Sequence, residues 1–358
     1  MACPPGGLVN GISYGPVLNT AAVALTAFGN VATERAALLV DMLYGQNVSA
    51  GFVDRANARL AQQLTASGFA EAMQAALMGE PVLTADESPV EVVTPAVDET
   101  TGQPVSGSPH VMVIRTPGER LVWLTALDSR SHKDVLASLR TFTGYLIVDG
   151  YGAYLKLLPG VRAGKRDGTD AGGVLAGIQQ CCQHVMRRCK QVTKLGPGSL
   201  QAWAGKITGV LKTAHTEVEA AKARGETALD PTLLADLRAR YDDAVASGIT
   251  HNRHRDWDGG GNHPGYALGV WLKTHADQVW LFTRHFIVDW TSNAAERGVK
   301  PAKRHQATSG YWQTDQTLDR WCTNQSYLIS ARNHGLTILE AITRALTGNP
   351  WLPTITAA

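Results

Sequence analysis

The most constraining stretch of the sequence is a short apolar run that ends in an acid and a glycine. Residues 145–148 read Tyr-Leu-Ile-Val, and Asp149-Gly150 follows them. An apolar run without alternation predicts a strand that is buried on both faces of a sheet. Ligands of open α/β sheets bind beyond the carboxyl ends of the strands, so Asp149 is placed to hold a cation or a substrate. Because Asp-Gly is also a common turn pair, a turn-capping role for Asp149 stays open.

Earlier β-type runs supply the neighbours that this strand needs. The stretch Val82–Asp86 is typical of a strand. Pro89 interrupts the longer extended run from Pro81 to Val93 and predicts that one half of this run is an edge strand or a bend. His110–Ile114 and Leu121–Leu127 flank a Pro-Gly turn and predict a hairpin. Three antiparallel strands, a helix and a parallel strand are typical of an α/β fold: a ribonuclease-H-like mixed sheet with flanking helices.

In such folds two acids lie on neighbouring strands and a third arrives on a later helix. Asp86 would lie beside Asp149, and Glu296 would be the third acid. Residues 293–296 read Asn-Ala-Ala-Glu, which is also the spacing of a capping box. That structural interpretation of Glu296 stays open. The alternative to Asp86 is Asp98-Glu99, which is disfavoured because a loop rich in Thr, Pro and Gly holds a ligand poorly.

Three carboxylates on two strands and a helix predict an oxygen-rich site, suited to Mg²⁺ or Mn²⁺ and unsuited to zinc. Two ions about 3.5–4 Å apart would activate an attacking hydroxyl and steady the leaving oxygen of a phosphodiester. A zinc site at His251, His254 and His263 is disfavoured, because that polar loop has no cysteine at finger spacing.

Basic residues are unevenly distributed, although the formal net charge is only +2. Residues 171–216 contain no acid and six lysines or arginines, which suggests a polyanionic partner. A solvated helix face is the commoner origin of any single basic run, and this alternative stays open. The side chains predicted to bind DNA and to offset the acids are His184, Arg187, Arg188, Arg297, Lys300, Lys303 and Arg304.

The chain organisation follows from these patterns. We predict an N-terminal helical segment over 1–75, the first part of the catalytic core over 76–195, a helical insertion over 196–269, and the rest of the core with C-terminal helices over 270–358. The first segment contains either a helix-turn-helix, with Arg55, Asn57 and Arg59 toward DNA, or a plain helical hairpin. An amphipathic pattern over Tyr266–Phe286 predicts one helix. Ser49 is a candidate cap of the third N-terminal helix, and Asp230-Pro231 predicts a helix start.

The compartment is predicted from absences in the sequence. Five cysteines without a Cys-x-x-Cys pair favour a reducing environment. No signal peptide is visible, and the apolar patch over Val17–Phe28 is too short and too polar to span a bilayer. We therefore expect a bacterial-type cytoplasmic, nucleoid-associated protein without a membrane partner.

Five motifs in order resemble the bacterial insertion-sequence transposases with a DDE triad, in particular the sixty-six group. They begin with Ala-Asp-Glu-Ser at 85–88 and Asp-Gly-Tyr at 149–151, followed by Cys-x-x-His-x-x-Arg-Arg at 181–188. The others are Ser-Asn-Ala-Ala-Glu-Arg at 292–297 and the C-terminal pair Ser-Tyr-Leu-Ile-Ser-Ala-Arg at 326–332 and Asn-Pro-Trp-Leu-Pro at 349–353. The similarity covers about Tyr14 to Pro353.

This resemblance implies that Asp86, Asp149 and Glu296 bind two Mg²⁺ or Mn²⁺ ions and cleave and join DNA at transposon ends. The implied partners are double-stranded DNA, as terminal inverted repeats and target, and further copies of the chain. Two departures stand out: Ser292 replaces an Asn of the family, and Cys3 alone would remain of an N-terminal zinc segment. The alternatives are a truncated DNA-binding remnant without catalysis and a ribonuclease-H-like nuclease of other purpose.

Overall fold

The computed structural model describes residues 14–94, 97, 108–128, 132–159 and 175–354. The chain forms two compact units. One comprises residues 1–79, 87–134 and 297–358, and the other comprises 80–86 and 135–296. We call them the first and the second unit. They do not coincide with the four predicted segments, whose boundaries stay predictions.

The fold is mixed α/β, as predicted, and contains a five-stranded mixed sheet. In chain order the strands are β1 (Val82–Pro89), β2 (Val92–Thr94), β3 (His110–Arg115), β4 (Val122–Leu127), β5 (Tyr145–Val148), β6 (Gly177–Gln180) and β7 (Trp312–Thr314). The order across the large sheet is β4-β3-β1-β5-β6, and β2 pairs with β7 in a separate parallel ribbon.

The central strands have the register and burial that an apolar run predicts. β1 and β5 are parallel, with Thr84 opposite Ile147, and β5 and β6 are parallel, with Val148 opposite Gln180. Leu146, Ile147 and Val148 are fully buried, which confirms the strand at 145–148 as a core strand. The predicted hairpin is confirmed as the antiparallel pair β3–β4.

The helices of the second unit pack into one apolar core. They are α6 (Cys182–Val192), α7 (Gly198–Ala223), α8 (Pro231–Asn252), α9 (Pro264–Thr274) and α10 (Ala276–Val279); α5 (His132–Ala137) precedes β5. Trp203 and Tyr241 are among the largest side chains of that core. The predicted start of α8 is confirmed, because Asp230 Oδ1 accepts a hydrogen bond from the Leu233 amide at 2.9 Å.

The single helix predicted over Tyr266–Phe286 is wrong. α9 ends at Thr274, α10 covers four residues, and a 3₁₀ turn follows at Leu281–Thr283. The fully buried side chain of Gln179 explains the break. Its amide donates to the Val279 carbonyl at 3.0 Å and accepts from the Phe282 amide at 2.8 Å. A residue of β6 thus bonds backbone groups that a continuous helix would pair internally.

The first unit is mostly helical. It contains α1 (Pro16–Val23), which continues as a π-helical turn over Ala24–Phe28, and α2 (Thr33–Tyr44), α3 (Ala50–Ala66) and α4 (Phe69–Met78). Its C-terminal helices are most of α11 (Asn293–Ser309), then α12 (Asp315–Asn333) and α13 (Ile338–Leu346). α4 was not predicted.

α12 covers the edge strand β4 with two buried serines. Ser330 Oγ accepts from the Val122 amide at 3.0 Å, and Ser326 Oγ accepts from the Leu124 amide at 2.8 Å. Each hydroxyl also lies within hydrogen-bond distance of the carbonyl of the same strand residue. The serines therefore satisfy backbone groups that an exposed sheet edge would offer to another strand.

The proposed recognition helix of a helix-turn-helix corresponds to α3. Ser49 caps it, as predicted, through a 3.1 Å hydrogen bond from the Phe52 amide. Asn57 donates to Thr26 Oγ1 at 2.8 Å, and Arg59 donates to the Asn19 side chain. Two of the three residues assigned to DNA are thus engaged within the unit, which favours the plain helical hairpin.

Candidate active site

Asp86, Asp149 and Cys181 lie in one row across the three parallel strands: Asp86 is within β1, and Asp149 and Cys181 directly follow β5 and β6. Asp86 and Asp149 each lie two residues beyond the Thr84–Ile147 pair. Asp149 and Cys181 each follow the Val148–Gln180 pair, and the Cys181 amide donates to the Val148 carbonyl at 2.8 Å. Neighbouring strands lie about 4.8 Å apart, so the row is short. All of these residues belong to the second unit.

Asp149 takes part in the turn that its sequence also allowed. Its Oδ1 accepts a hydrogen bond from the Tyr151 amide at 2.8 Å, as in an Asx turn. This contact holds the carboxylate at the end of β5. A carboxylate offers about four lone-pair positions, so one amide leaves it able to accept further donors or a cation. Asp98-Glu99, the alternative to Asp86, lies outside the described residues.

Glu296 reaches the same end of the sheet through the segment before α11. The Cys182 amide donates to the Trp290 carbonyl at 2.9 Å, and the Ser292 amide donates to Cys181 Sγ at 3.2 Å. Both bonds tie this segment to the end of β6. Because the contact of Ser292 uses its backbone, a different side chain at that position leaves the bond intact.

The carboxylate of Glu296 does not take part in the capping box that the sequence also allowed. Asn293 is the first residue of α11, so Glu296 lies one position too late for the box. Glu296 Oε1 is buried without a hydrogen-bond partner, as is Nδ1 of His184. The two atoms lie 3.6 Å apart, an ion-pair distance. A buried acceptor of this kind is costly unless a donor or a cation satisfies it.

Cys181, His184 and Glu296 form a cluster in which one potential ligand atom from each lies within 4.8 Å of the others. Burial raises the pKa of the Cys181 thiol, but hydrogen bonds with His184 and Ser292 outweigh it and leave this pKa below its ordinary value. The hydrogen bond with Cys181, opposed by burial and aided by Glu296, raises the pKa of His184. The lowered pKa of Cys181 and the raised pKa of His184 thus share one cause, the contact between their side chains.

This cluster differs from the oxygen-only site that the sequence predicts. Among the described residues, this is the one group of three His, Cys, Asp or Glu side chains whose ligand atoms all lie within 4.8 Å of one another. The carboxylates of Asp86, Asp149 and Glu296 are therefore not that close together. Oxygens on a single Mg²⁺ lie at most about 4.2 Å apart, since each bond is about 2.1 Å. Two metal ions about 4 Å apart would allow a wider spacing between the carboxylate oxygens. The buried Oε1 of Glu296, which lacks a hydrogen-bond partner, fits the role of a cation ligand.

The predicted DNA-binding residues occupy two helices. On α6, Arg187 is exposed, whereas the Arg188 guanidinium stacks 4.5 Å from the ring centre of Trp271. On α11, Arg297 Nε donates to Glu119 Oε1 at 3.0 Å, and Lys300, Lys303 and Arg304 are exposed. His184 was predicted only to bind DNA, but its side chain contacts Cys181 and Glu296. The Cys-x-x-His spacing was the signal for this contact, because it places both residues at the start of α6.

Comparison with known proteins identifies the family. A model of the transposase IS66 family matches residues 13–320. The chain belongs to this family. No curated protein matches the sequence. No helix among the described residues is long and apolar enough to cross a membrane. The family membership agrees with the resemblance carried by the five motifs and assigns the chain to the transposases.

Proposed function

We propose that this IS66-family transposase is a DDE enzyme that cleaves transposon ends and joins them to target DNA with divalent metal ions. The observation that carries the proposal is the row that crosses β1 and the carboxyl ends of β5 and β6. It contains Asp86 and Asp149, and Cys181 connects it to Glu296. Ligand sites of open α/β sheets lie at this end of the strands.

The strand order supports a ribonuclease-H-like core. An antiparallel hairpin, β3–β4, lies on one side of β1, and the parallel strands β5 and β6 lie on the other. This is the arrangement that places one acid on β1 and one after β5. The helical residues 198–252 fall between β6 and α11, which is consistent with an insertion between the second and third acids.

The residues of the chain have distinct roles in this proposal. Asp86, Asp149 and Glu296 would hold Mg²⁺ or Mn²⁺, which, when bound, polarises the phosphodiester and steadies the charge of the leaving oxygen. His184 positions Glu296 through their 3.6 Å contact, and the contact with Cys181 raises the pKa of His184, which strengthens its attraction to a carboxylate. Exposed cations, in particular Arg187, Lys300 and Lys303, bind DNA phosphates.

Cleavage of a labelled duplex tests the proposal. The substrate carries the inverted repeats that flank the gene, and the full-length protein is assayed with Mg²⁺, Mn²⁺ or EDTA. We expect nicking at the repeat ends with either metal and none with EDTA. Asp86→Asn, Asp149→Asn and Glu296→Gln should each remove it, whereas Asp256→Asn, an exposed acid of the same unit, should not.

The outcomes separate the alternatives. Tight, salt-dependent binding without nicking under either metal would favour a DNA-binding remnant. Cleavage that does not depend on the repeats would favour a nuclease of other purpose. Cleavage that survives Asp149→Asn would reject the triad. The number of copies in the active complex is a separate prediction, to be measured by light scattering with and without DNA.

A further inference from the structure

The cluster of Cys181, His184 and Glu296 offers one sulfur, one nitrogen and one oxygen to a metal ion. These three ligand atoms lie within 4.8 Å of one another, and all three residues belong to the second unit. Mg²⁺ and Mn²⁺ prefer oxygen ligands, whereas cysteine and histidine together select zinc and related transition metals. The cluster therefore suits a different ion from the one that the acidic row would bind.

The spacing of the ligand atoms is close to that of a zinc site. Zinc bonds are about 2.0 Å to nitrogen or oxygen and about 2.3 Å to sulfur, so tetrahedral ligand atoms lie about 3.3–3.6 Å apart. His184 Nδ1 and Glu296 Oε1 are 3.6 Å apart. Since no pair of ligand atoms is more than 4.8 Å apart, a side-chain rotation that closes about 1 Å completes the geometry.

Two of the ligand atoms lack a hydrogen-bond partner and are still close to solvent. Glu296 Oε1 and His184 Nδ1 are both buried without a hydrogen bond. The side chains of His184 and Glu296 are nevertheless 29% and 30% exposed, so other atoms of both groups reach water. An ion can therefore enter from solvent and reach these inward atoms, and its charge offsets the cost of burying a carboxylate oxygen.

The backbone fixes the start of both motif ligands. Cys181 is the N-cap residue of α6, and its amide donates to the Val148 carbonyl of β5 at 2.8 Å. The Ser292 amide donates to Cys181 Sγ at 3.2 Å, and outer hydrogen bonds of this kind orient metal ligands. His184 lies three residues later, in the first turn of α6. The sulfur and the imidazole are thus held on regular secondary structure rather than on a loop.

We infer that Cys181, His184 and Glu296 form a binding site for Zn²⁺, with a water molecule as the fourth ligand. Binding releases the thiol proton to solvent, because cysteine ligates zinc as the thiolate. Glu296 is also the third acid of the proposed catalytic site, so zinc and the catalytic ions compete for one carboxylate. In this respect alone the inference rests on the proposed function, and it predicts that zinc inhibits cleavage.

Cobalt spectroscopy tests the site without DNA. Full-length protein is stripped with a chelator and titrated with Co²⁺, which shows a near-ultraviolet charge-transfer band when a thiolate ligates it. We expect one ion per chain, and displacement by Zn²⁺ because zinc binds such ligands more tightly. Cys181→Ser should abolish the band. His184→Ala and Glu296→Gln should each weaken zinc binding about a hundredfold or more, since the loss of residues that only orient a ligand already costs about 10–100-fold.

Two matched variants control for other ligands. Cys189→Ala removes a buried cysteine of the same helix, and His254→Ala removes an exposed histidine of the same unit. Both should keep the band and the affinity. Wild-type protein without a band, or a band that survives Cys181→Ser, would overturn the inference. The same holds for a band that Cys189→Ala or His254→Ala abolishes while circular dichroism shows folded protein.

The nicking assay on the same proteins separates the two hypotheses. Stoichiometric Zn²⁺ should lower the wild-type rate with Mg²⁺ about a hundredfold, because a charge-stabilising group is withdrawn from the active site. In Cys181→Ser the ratio of rates with and without zinc should approach one, whatever the basal rate. Zinc binding that leaves wild-type nicking unchanged would overturn Glu296 as a zinc ligand. Nicking without zinc binding would reject the zinc site and keep the transposase, whereas zinc binding without nicking under either catalytic metal would do the reverse.

Discussion

Two regions of this protein contain buried polar atoms without hydrogen-bond partners. In one region the atom belongs to a carboxylate, and in the other the atoms belong to neutral side chains. At the carboxyl end of the parallel strands, Glu296 Oε1 is buried beside the titratable residues Cys181 and His184. Inside the first unit, the unsatisfied atoms belong to Trp312, Trp321, Asn324 and His305, whose neutral form is favoured by burial.

The difference shows what each region can bind. A buried carboxylate near other acids is stabilised by a cation, because charge is the dominant cost of its burial. The unsatisfied atoms inside the first unit are neutral, so their burial costs less than that of a charge. Variants of the acidic row should therefore change function more than variants of these neutral side chains.

Loss of charge at the acidic row should have the largest effect. We expect Glu296→Gln to lower the rate of nicking about a thousandfold, the order seen when one charge-stabilising group is removed from an active site. DNA affinity should change little, because phosphate contacts come from other residues. Single-turnover nicking and gel-shift titration measure the two quantities. A variant that cleaves at the normal rate would contradict the role of Glu296.

Loss of His184 should have an intermediate effect on cleavage. We expect His184→Ala to lower the nicking rate about 10–100-fold, as for a residue that orients a metal ligand. In Cys181→Ser, the pKa of His184 should fall toward its ordinary value, because the hydrogen bond with the Cys181 sulfur is lost. Proton NMR titration of the imidazole measures this shift. An unchanged pKa would show that Cys181 does not act on His184.

His305 should make the first unit sensitive to acid. Its folded-state pKa of about 4 lies below the unfolded value of about 6.5. The unfolded state therefore binds more protons between these values, and stability is lost as the pH falls from about 6.5 to 4. We expect this group to contribute on the order of 2 kcal/mol to that loss.

Urea unfolding at several pH values measures this dependence. His305→Phe keeps a ring against Trp312 and should flatten the profile in that window. The control is His254→Phe, since His254 is exposed. An equally steep profile in His305→Phe would assign the acid sensitivity to other groups.

Single exposed lysines should have the smallest effect. We expect Lys303→Ala to weaken DNA binding a few-fold and to reduce the slope of log affinity against log salt concentration by about 0.9, the value for one phosphate contact. Gel shifts at four salt concentrations measure the slope. Trp321→Phe should leave the slope unchanged, because Trp321 is buried and uncharged. An equal slope in wild type and Lys303→Ala would remove this residue from the phosphate contacts.

The sequence was informative about local structure and about the order of motifs. The apolar run at 145–148 predicted a buried strand, Asp230-Pro231 predicted a helix start, and Ser49 predicted a cap. Each of these signals involves a few consecutive residues. The helix over Tyr266–Phe286 was wrong because Gln179, far away in the chain, bonds the backbone at the break. A periodic pattern contains no information about such a partner.

The sequence by itself determined the transposase family, the central strand and the acids at its motif positions, because these depend on residue type and spacing along the chain. The position of Glu296 3.6 Å from His184, and the unsatisfied indole N–H groups of Trp312 and Trp321 inside the first unit, emerged only from tertiary packing. The physical reason is that hydrogen bonding and burial depend on neighbours from distant parts of the chain, and these neighbours exist only after folding.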